Sequence, residues 1–382
     1  MRQPRVTPIP LDPRVCDCCG EQSLESLWNY DHEAVTISDR WLFRVRNVIC
    51  PECGFVFTPP VLNGAELLRY YGDSFTRFEG QSLDYDIEKR LCVIEQFIAG
   101  RELFVEVGSN LMSSFQDQLT ALFEQVLTHE PNQSADSSCD GIDSIADDSV
   151  DGIAHYFVLE HVPDIAGFLR EMNRVLRSGG IMICEVPLLS LYEDYISPLI
   201  LHEHVNHFTQ DTLACIAAKQ GFELLHSSQE KCSRPFGFVS VFRKSSTVQV
   251  SVPQEYERNK AQFNNGKRQA DLYFQRMHSA RELVTQSDDP IIIWAANETS
   301  NRLLEGVIPR ENVCVIDSSS GKKDFFSGRC AVLQPNAARK QIAKAEYIIL
   351  CTQRHAPTIL QNLETEYGKS FEESRIRIID RL

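Results

Sequence analysis

The sequence predicts an α/β protein built in three parts, and three observations support this. Two C-x-x-C pairs lie in a Pro-rich and Cys-rich segment at residues 1–65. Short apolar runs alternate with helical patterns over residues 66–246. The same alternation resumes after a polar stretch and continues over residues 247–382. Because strands that alternate with helices form mostly parallel sheets, we expect an N-terminal knuckle, a central Rossmann-like sheet and a smaller C-terminal Rossmann-like α/β domain.

The composition excludes several classes of function. The chain has 382 residues, of which 43% are apolar and 24% charged, as in an ordinary globular protein. Its net charge of −15, without a long basic run, argues against a nucleic-acid partner. No apolar stretch approaches the roughly 20 residues that span a bilayer, and the N-terminus lacks the apolar core of a signal peptide. We therefore expect a cytoplasmic monomer or homodimer that binds neither nucleic acid nor membranes.

The N-terminal segment carries the ligand set of a structural zinc site. A C-x-x-C turn places two thiolates on one side of a tight loop, and two such turns supply four thiolates for tetrahedral zinc. A glycine follows each pair, which suits a sharp turn. Cys18 is a spare thiol that matches the spacing less well, and unliganded cysteines or a redox pair are the alternative interpretation. The predicted ligands are Cys16, Cys19, Cys50 and Cys53.

Hydrophobic patterns predict the elements around and after this segment. Strands are expected at 33–37, 43–49, 103–107, 126–129, 152–158, 181–186 and 238–242, with a turn at 177–180 before the sixth of them. Helices are expected at 67–71, 85–98, 118–123, 165–176 and 213–220.

Polar residues follow the first two strands of the central sheet, where ligands bind in open α/β sheets. Glu106, Gly108 and Asn110 close the first strand. Glu130 closes the second and is placed to bond a ribose diol, while Asp143 lies in a later loop where an adenine amine could be met. These five residues are candidates for cofactor binding.

Residues 151–187 resemble the later motifs of class I S-adenosylmethionine-dependent methyltransferases. The resemblance rests on Val158-Leu-Glu-His161 after a strand, on Arg177-Ser-Gly-Gly180 after a helix, and on their spacing. It implies that S-adenosylmethionine is the cofactor and adds Tyr156 to the cofactor-binding candidates. The glycine-rich turn of such enzymes is reduced here to Gly108. A non-catalytic protein with a degenerate cofactor loop therefore stays open as an alternative.

Three histidines and a carboxylate cluster in residues 201–208. Histidine titrates near neutral pH and is the usual general base, so His202, Glu203 and His204 are candidates for acid–base chemistry. A zinc site is the rival interpretation, because His202 and His204 would share a face if they lay on a strand. A core or surface histidine cluster is the third.

The order of the parts resembles the zinc-containing sugar C-methyltransferases that act on nucleotide-linked keto-deoxysugars. This resemblance implies a nucleotide-linked sugar substrate, His204 as the base that forms an enolate, and Glu203 as its partner. His202 and Tyr71 would line the site, with Tyr70 a close rival of Tyr71. The family's His-Gly-Gly element is replaced by Arg234-Pro-Phe-Gly237. An O- or N-methyltransferase acting on another small metabolite is the alternative function.

The last part is expected to begin with a long polar helix at 255–286, followed by strands at 291–295, 313–316, 347–351 and 376–379. The turn after the first of these strands, at 294–301, has no glycine, so a bound dinucleotide is not expected. The resemblance implies that this domain helps to hold the nucleotide half of the substrate. A purely architectural role is the alternative.

Overall fold

A computed structural model describes residues 11–35, 40–62, 66, 70, 86–108, 113–129, 142–304, 307, 309–323, 325–326, 330–352 and 355–379. The chain divides into two compact units. One comprises Met1–Asp194 and Leu201–Gly266, and the other Tyr195–Ile200 and Lys267–Leu382.

The cysteine-rich segment forms two small antiparallel sheets. Strand β1 (Leu11–Asp12) pairs with β5 (Val61–Leu62). The second sheet has the order β10-β4-β3-β2. Its strands are β2 (Glu25–Val35), β3 (Arg40–Ile49), β4 (Val56–Phe57) and β10 (Asn206–His207). The edge strand β10 therefore comes from far along the chain and lies within the predicted histidine cluster at residues 201–208.

A six-stranded sheet follows in the same unit, with the order β11-β12-β9-β8-β6-β7. The strands are β6 (Leu103–Val107), β7 (Gln125–His129), β8 (Val150–Tyr156), β9 (Leu176–Pro187), β11 (Phe222–Ser228) and β12 (Gly237–Lys244). Strands β7, β6, β8 and β9 run parallel, and β12 is antiparallel to both neighbours. This is the Rossmann-like sheet that the alternating pattern predicted.

The predicted turn at 177–180 lies inside β9. The register of β9 on β8 jumps from Val150↔Leu176 to Gly152↔Ile181, so residues 177–180 bulge out of the ladder. Gly179 takes a φ of 74° in this bulge, a backbone conformation that glycine adopts at little cost. The strand thus begins earlier than its apolar run.

Three helices of the first unit begin at polar caps. The Asp86 side chain accepts from the Lys89 amide at the start of one helix, and Asp164 accepts from the Gly167 amide at the start of another. Such caps satisfy amides that have no partner within the helix. The helices are α1 (Ile87–Phe97), α2 (Ser113–Leu122), α3 (Ile165–Val175) and α5 (Gln210–Lys219); a single turn, α4 (Ser197–Ile200), belongs to the second unit.

One buried core runs from the cysteine-rich segment into the larger sheet. Phe55 stacks on Phe57 with ring centroids 5.3 Å apart, and its centroid lies 5.7 Å from that of Phe208. The same core includes Leu169 of α3 and Val186 of β9. The cysteine-rich segment and the central sheet therefore pack as parts of one compact unit.

The second unit is a smaller, fully parallel α/β sheet with the order β15-β14-β13-β16-β17. Its strands are β13 (Ile291–Trp294), β14 (Val313–Ile316), β15 (Val332–Leu333), β16 (Tyr347–Leu350) and β17 (Ile376–Ile378). Its helices are α7 (Glu298–Leu303), α8 (Arg339–Lys344) and α9 (Ala356–Tyr367). The long helix α6 (Tyr256–Gln286) passes from the first unit into the second after Gly266.

No helix within the described ranges is both long and apolar enough to cross a membrane.

Candidate functional site

The four predicted zinc cysteines lie together. The Cys16 and Cys53 sulfurs are 3.4 Å apart, as are those of Cys19 and Cys50. All four sulfurs lie within 4.8 Å of one another. Hydrogen bonds from Cys16 and Cys53 lower the pKa of Cys50, which favours a thiolate there. The Cys18 thiol interacts with the side chains of Cys215 and Cys53, and the Cys18 carbonyl accepts from the Cys215 thiol at 3.5 Å.

This cluster fits a tetrahedral metal ion. Zinc–sulfur bonds of about 2.3 Å place neighbouring sulfurs about 3.8 Å apart, close to the spacing of these thiols. The two loops also repeat each other. Gly20 donates its amide to the Cys16 carbonyl at 2.7 Å, and Gly54 donates to the Cys50 carbonyl at 2.9 Å. Four sulfurs would fill the coordination sphere, so an ion held here would be structural.

The cysteine-rich segment also holds the loop that carries the histidine cluster. Residues 206 and 207 form β10 against β4. The buried Arg14 guanidinium donates to the Asn206 side chain at 2.7 Å and to the Val205 carbonyl at 3.2 Å. Its charge is balanced by Asp17 at 2.8 Å. The position of residues 202–206 therefore depends on the fold of the segment around the cysteines.

Glu203 connects two aromatic groups at the candidate catalytic site. The Tyr70 hydroxyl donates to one Glu203 carboxylate oxygen at 2.8 Å, and the His202 Nδ1 atom lies 3.0 Å from the other. Burial favours the neutral acid, but His202 and Tyr70 hold the pKa of Glu203 well below its usual range. Glu203 is therefore ionised at neutral pH.

His204 faces a second histidine. The ring centroids of His204 and His161 lie 4.6 Å apart with an angle of 83° between the planes. Burial lowers the pKa of His161 to about 4, so its ring is neutral at pH 7. Beside it, burial raises the pKa of the Glu160 carboxyl to about 8. His202 and Glu203 lie in a turn, so the idea that His202 and His204 share a strand face is wrong.

Glu160 and His161 were not among the predicted site residues. They form a single 3-10 turn (Leu159–His161) after β8. The Val205 amide donates to the Glu160 carbonyl at 2.8 Å, and the Asn206 side chain donates to the Leu159 carbonyl at 2.9 Å. These bonds tie the turn after β8 to the loop after β9. Their place in the sequence could have indicated these two residues, since the turn and the loop both follow strands that end at the same edge of the sheet.

The predicted cofactor residues lie at the carboxyl edge of the parallel strands where the structure describes them. Glu106 is buried near the end of β6, and Gly108 follows with a φ of 72°. A Cβ atom at Gly108 would lie 2.5 Å from a Val158 methyl carbon, so glycine keeps the backbone close to the next loop. Asp143 acts electrostatically on His129, the last residue of β7. Asn110, Glu130 and Tyr71 lie outside the described residues.

Tyr156 lies in a buried polar cluster that sequence reasoning missed. The Arg90 guanidinium sits 3.8 Å from the centre of the Tyr156 ring, and its Nε atom is 3.6 Å from Glu185. Glu185 also accepts hydrogen bonds from the Ser233 amide, at 2.9 Å, and from the Ser233 hydroxyl. An arginine on α1 carries no pattern that predicts burial against the ends of β8 and β9.

A family match agrees with this fold. Residues 67–227 match the family described as a methyltransferase domain. The match covers strands β6 to β9 of the central sheet, the turn with Glu160 and the loop with His204, but not β12. The central part of the chain is therefore similar to methyltransferase domains, which agrees with the prediction from the motifs in residues 151–187.

Solved structures with a similar fold are methyltransferases of low identity. A Burkholderia thailandensis 1,6-didemethyltoxoflavin-N1-methyltransferase, solved with S-adenosylhomocysteine, is 13% identical (50% of this chain, 96% of that chain, TM-score 0.39). A Mesorhizobium loti S-adenosylmethionine-dependent methyltransferase is 14% identical (41% and 97%, TM-score 0.31). A chain from a complex of the Haloferax volcanii Trm112 activator with a methyltransferase is also 14% identical (44% and 98%, TM-score 0.31). No curated protein matches the chain.

Proposed function

We propose that the protein transfers the methyl group of S-adenosylmethionine to a carbon beside the carbonyl of a nucleotide-linked keto-deoxysugar. The observation that supports this most is the grouping of His204 and His161 with the Tyr70–Glu203–His202 set, all in the unit that contains the methyltransferase sheet. Carbon methylation needs a base, because a carbon beside a ketone becomes nucleophilic only when it loses a proton.

In this proposal each group has a separate task. S-adenosylmethionine, when bound, supplies an electrophilic methyl group. His204 removes the proton from the substrate carbon. The Tyr70 hydroxyl keeps the ionised Glu203 in place, and His202, held by Glu203, stabilises the negative charge that develops on the carbonyl oxygen. Tyr71 stays a prediction for the same role.

The cofactor would be held at the edge where the parallel strands end. Gly108, which has no Cβ, lets its backbone pass close to Val158 at this edge, and Asp143 acts electrostatically on the last residue of β7. Tyr156 and Glu106 line the same edge, and the prediction for Asn110 and Glu130 is unchanged. Separately, we propose that the four-cysteine cluster holds one structural zinc ion.

The first experiment tests proton removal without methyl transfer. In deuterated buffer without S-adenosylmethionine, the wild-type protein should exchange the proton beside the ketone of a nucleotide-linked keto sugar. His204→Ala should lose this exchange by about 10²- to 10⁴-fold, the usual contribution of a positioned base. The exposed His278 lies on α6, and His278→Ala is the matched control that should exchange normally.

The second experiment tests methyl transfer itself. Labelled S-adenosylmethionine and a panel of nucleotide-linked keto sugars should give a product methylated on carbon, and calorimetry should show that His204→Ala still binds the cofactor. Full turnover in His204→Ala would refute the assigned base. Label on oxygen or nitrogen would favour the alternative function, and absence of cofactor binding in the wild type would favour a non-catalytic protein.

A further inference from the structure

A second group of metal-ligating side chains lies in the first unit, apart from the four cysteines. Glu160, His161 and His204 each offer a ligand atom, and these atoms all lie within 4.8 Å of one another. One carboxylate and two imidazoles form a ligand set that suits zinc and other divalent transition-metal ions.

The Glu160 carboxyl group is the observation that points to a ligand. Its residue is 1% exposed, and within the described part of the chain neither oxygen has a hydrogen-bond partner beyond a weak interaction with the amide of the same residue. The charge of Arg234 interacts electrostatically with the Glu160 carboxyl group. The Arg234 guanidinium, however, faces the Phe157 and Phe236 rings, at 5.7 and 5.4 Å from their centroids. Buried carboxyl groups are normally hydrogen-bonded, paired or bound to a metal, so the Glu160 carboxyl group indicates a ligand at the cluster.

The backbone holds the three ligands in place. Glu160 and His161 lie on the 3-10 turn after β8, and His204 lies on the loop after β9. The Val205 amide bonds to the Glu160 carbonyl at 2.8 Å, and Asn206 bridges the Leu159 and Val162 carbonyls at 2.9 and 2.8 Å. Metal sites need ligands that are positioned by such surrounding hydrogen bonds.

We propose that Glu160, His161 and His204 bind a divalent transition-metal ion such as Zn²⁺ or Co²⁺. Three protein ligands leave at least one coordination position open, unlike the four-cysteine set. An imidazole nitrogen cannot hold a metal ion and accept a proton at once, so the ion should inhibit methyl transfer. Only this inhibition rests on the proposed function; binding of the ion does not.

Metal binding is tested first on the zinc-loaded full chain. Metal analysis first measures how much zinc the cysteines hold. Co²⁺ is then titrated into the protein while visible absorption is recorded. One further equivalent should bind and give the absorption bands of a nitrogen- and oxygen-ligated ion, without thiolate-to-cobalt charge transfer. Glu160→Gln and His161→Asn should each weaken this equivalent at least tenfold, whereas His278→Asn should not change it.

Two results would overturn the site. Either the wild type binds no metal beyond its cysteine-bound ion, or both variants bind the additional equivalent with unchanged affinity while circular dichroism shows a native fold. The wild-type titration decides the question even if one variant fails to fold.

The activity measurement separates this inference from the proposed function. Added Zn²⁺ should inhibit methyl transfer at the concentration at which it fills the site, and Glu160→Gln should shift that concentration upward at least tenfold. Ion binding without inhibition would support the site and refute His204 as the base.

Discussion

Alanine in place of each knuckle glycine should separate backbone strain from steric overlap. Gly20 and Gly54 follow the two C-x-x-C pairs, and both have positive φ, 86° and 79°. Both donate the same hydrogen bond to the carbonyl of the first cysteine of their pair. The two sites differ in what a methyl group would meet, so each substitution serves as the control for the other.

The structure gives the expected magnitudes. At Gly20 no described atom lies within 4 Å of the added Cβ, so Gly20→Ala costs only the strain of a left-handed alanine, about 1–2 kcal/mol. At Gly54 the added Cβ would lie 2.7 Å from the Glu255 carbonyl carbon and 2.8 Å from the Tyr256 amide nitrogen. These are backbone atoms and cannot rotate away. Overlap of this kind adds about 1–3 kcal/mol, so Gly54→Ala should cost about 2–5 kcal/mol.

Equilibrium urea unfolding of the zinc-loaded variants measures this difference. Gly54→Ala should have a free energy of unfolding about 1–3 kcal/mol below that of Gly20→Ala, and metal analysis should show equal zinc in the two folded proteins. Gly54→Ala should also loosen the start of α6, because the Asn259 side chain donates to the Gly54 carbonyl at 3.1 Å. Equal losses of stability in the two variants would refute the reasoning from the Glu255 contact.

Three further predictions concern pH, a buried carboxylate and the metal. Burial lowers the pKa of the fully buried His155 to about 3, from 6.5, so below pH 6.5 the unfolded chain binds a proton that the folded chain does not. As the pH falls from about 6.5 to about 4.5, this residue should therefore lower the free energy of unfolding by about 1.4 kcal/mol per pH unit. In urea unfolding, His155→Leu should reduce the pH dependence by that amount, and an unchanged pH dependence contradicts the assignment. Asp151 accepts from the Glu102 and Leu103 amides at 2.7 and 3.0 Å, so Asp151→Ala should cost about 2–4 kcal/mol in the same assay, while the exposed control Asp147→Ala should cost under about 0.5 kcal/mol. Removal of zinc by a chelator should abolish methyl transfer and lower the melting temperature, and both should return with a single equivalent of Zn²⁺, which fills the cysteine cluster before the inhibitory site; full activity without zinc would contradict a structural role.

Local patterns in the sequence were sufficient for most of the two α/β sheets. Leu103–Val107 and Ile291–Trp294 are short apolar runs between turn residues, and such runs form buried parallel strands with little help from distant contacts. The cysteine spacing likewise brought four thiols together, because each pair is fixed by its own turn. Element ends were less accurate, as in β9, where a bulge lies within the strand.

Long-range contacts account for what the sequence could not predict. Strand β10 has only two residues, and its partner β4 lies about 150 positions earlier, so no local pattern marks either one. The same pairing places His202 in a turn and not on a strand. Arg90 and Glu185 are charged residues that would ordinarily be expected at the surface, and their burial follows from each other and from Tyr156. Pairings of this kind arise only when distant segments pack.

The contacts of β10 change how the cysteine cluster is understood. A zinc knuckle could be a separate domain whose loss leaves the methyltransferase sheet intact. Here Arg14, which lies two residues before the first cysteine, bonds to Asn206, and Asn206 in turn bonds to the Leu159 and Val162 carbonyls. The chain of contacts therefore runs from the cysteine loop through residues 205–207 to the turn with Glu160 and His161. If the cysteines hold zinc, the ion stabilises the relative positions of His204 and His161, and its loss should disturb that site as directly as the knuckle itself.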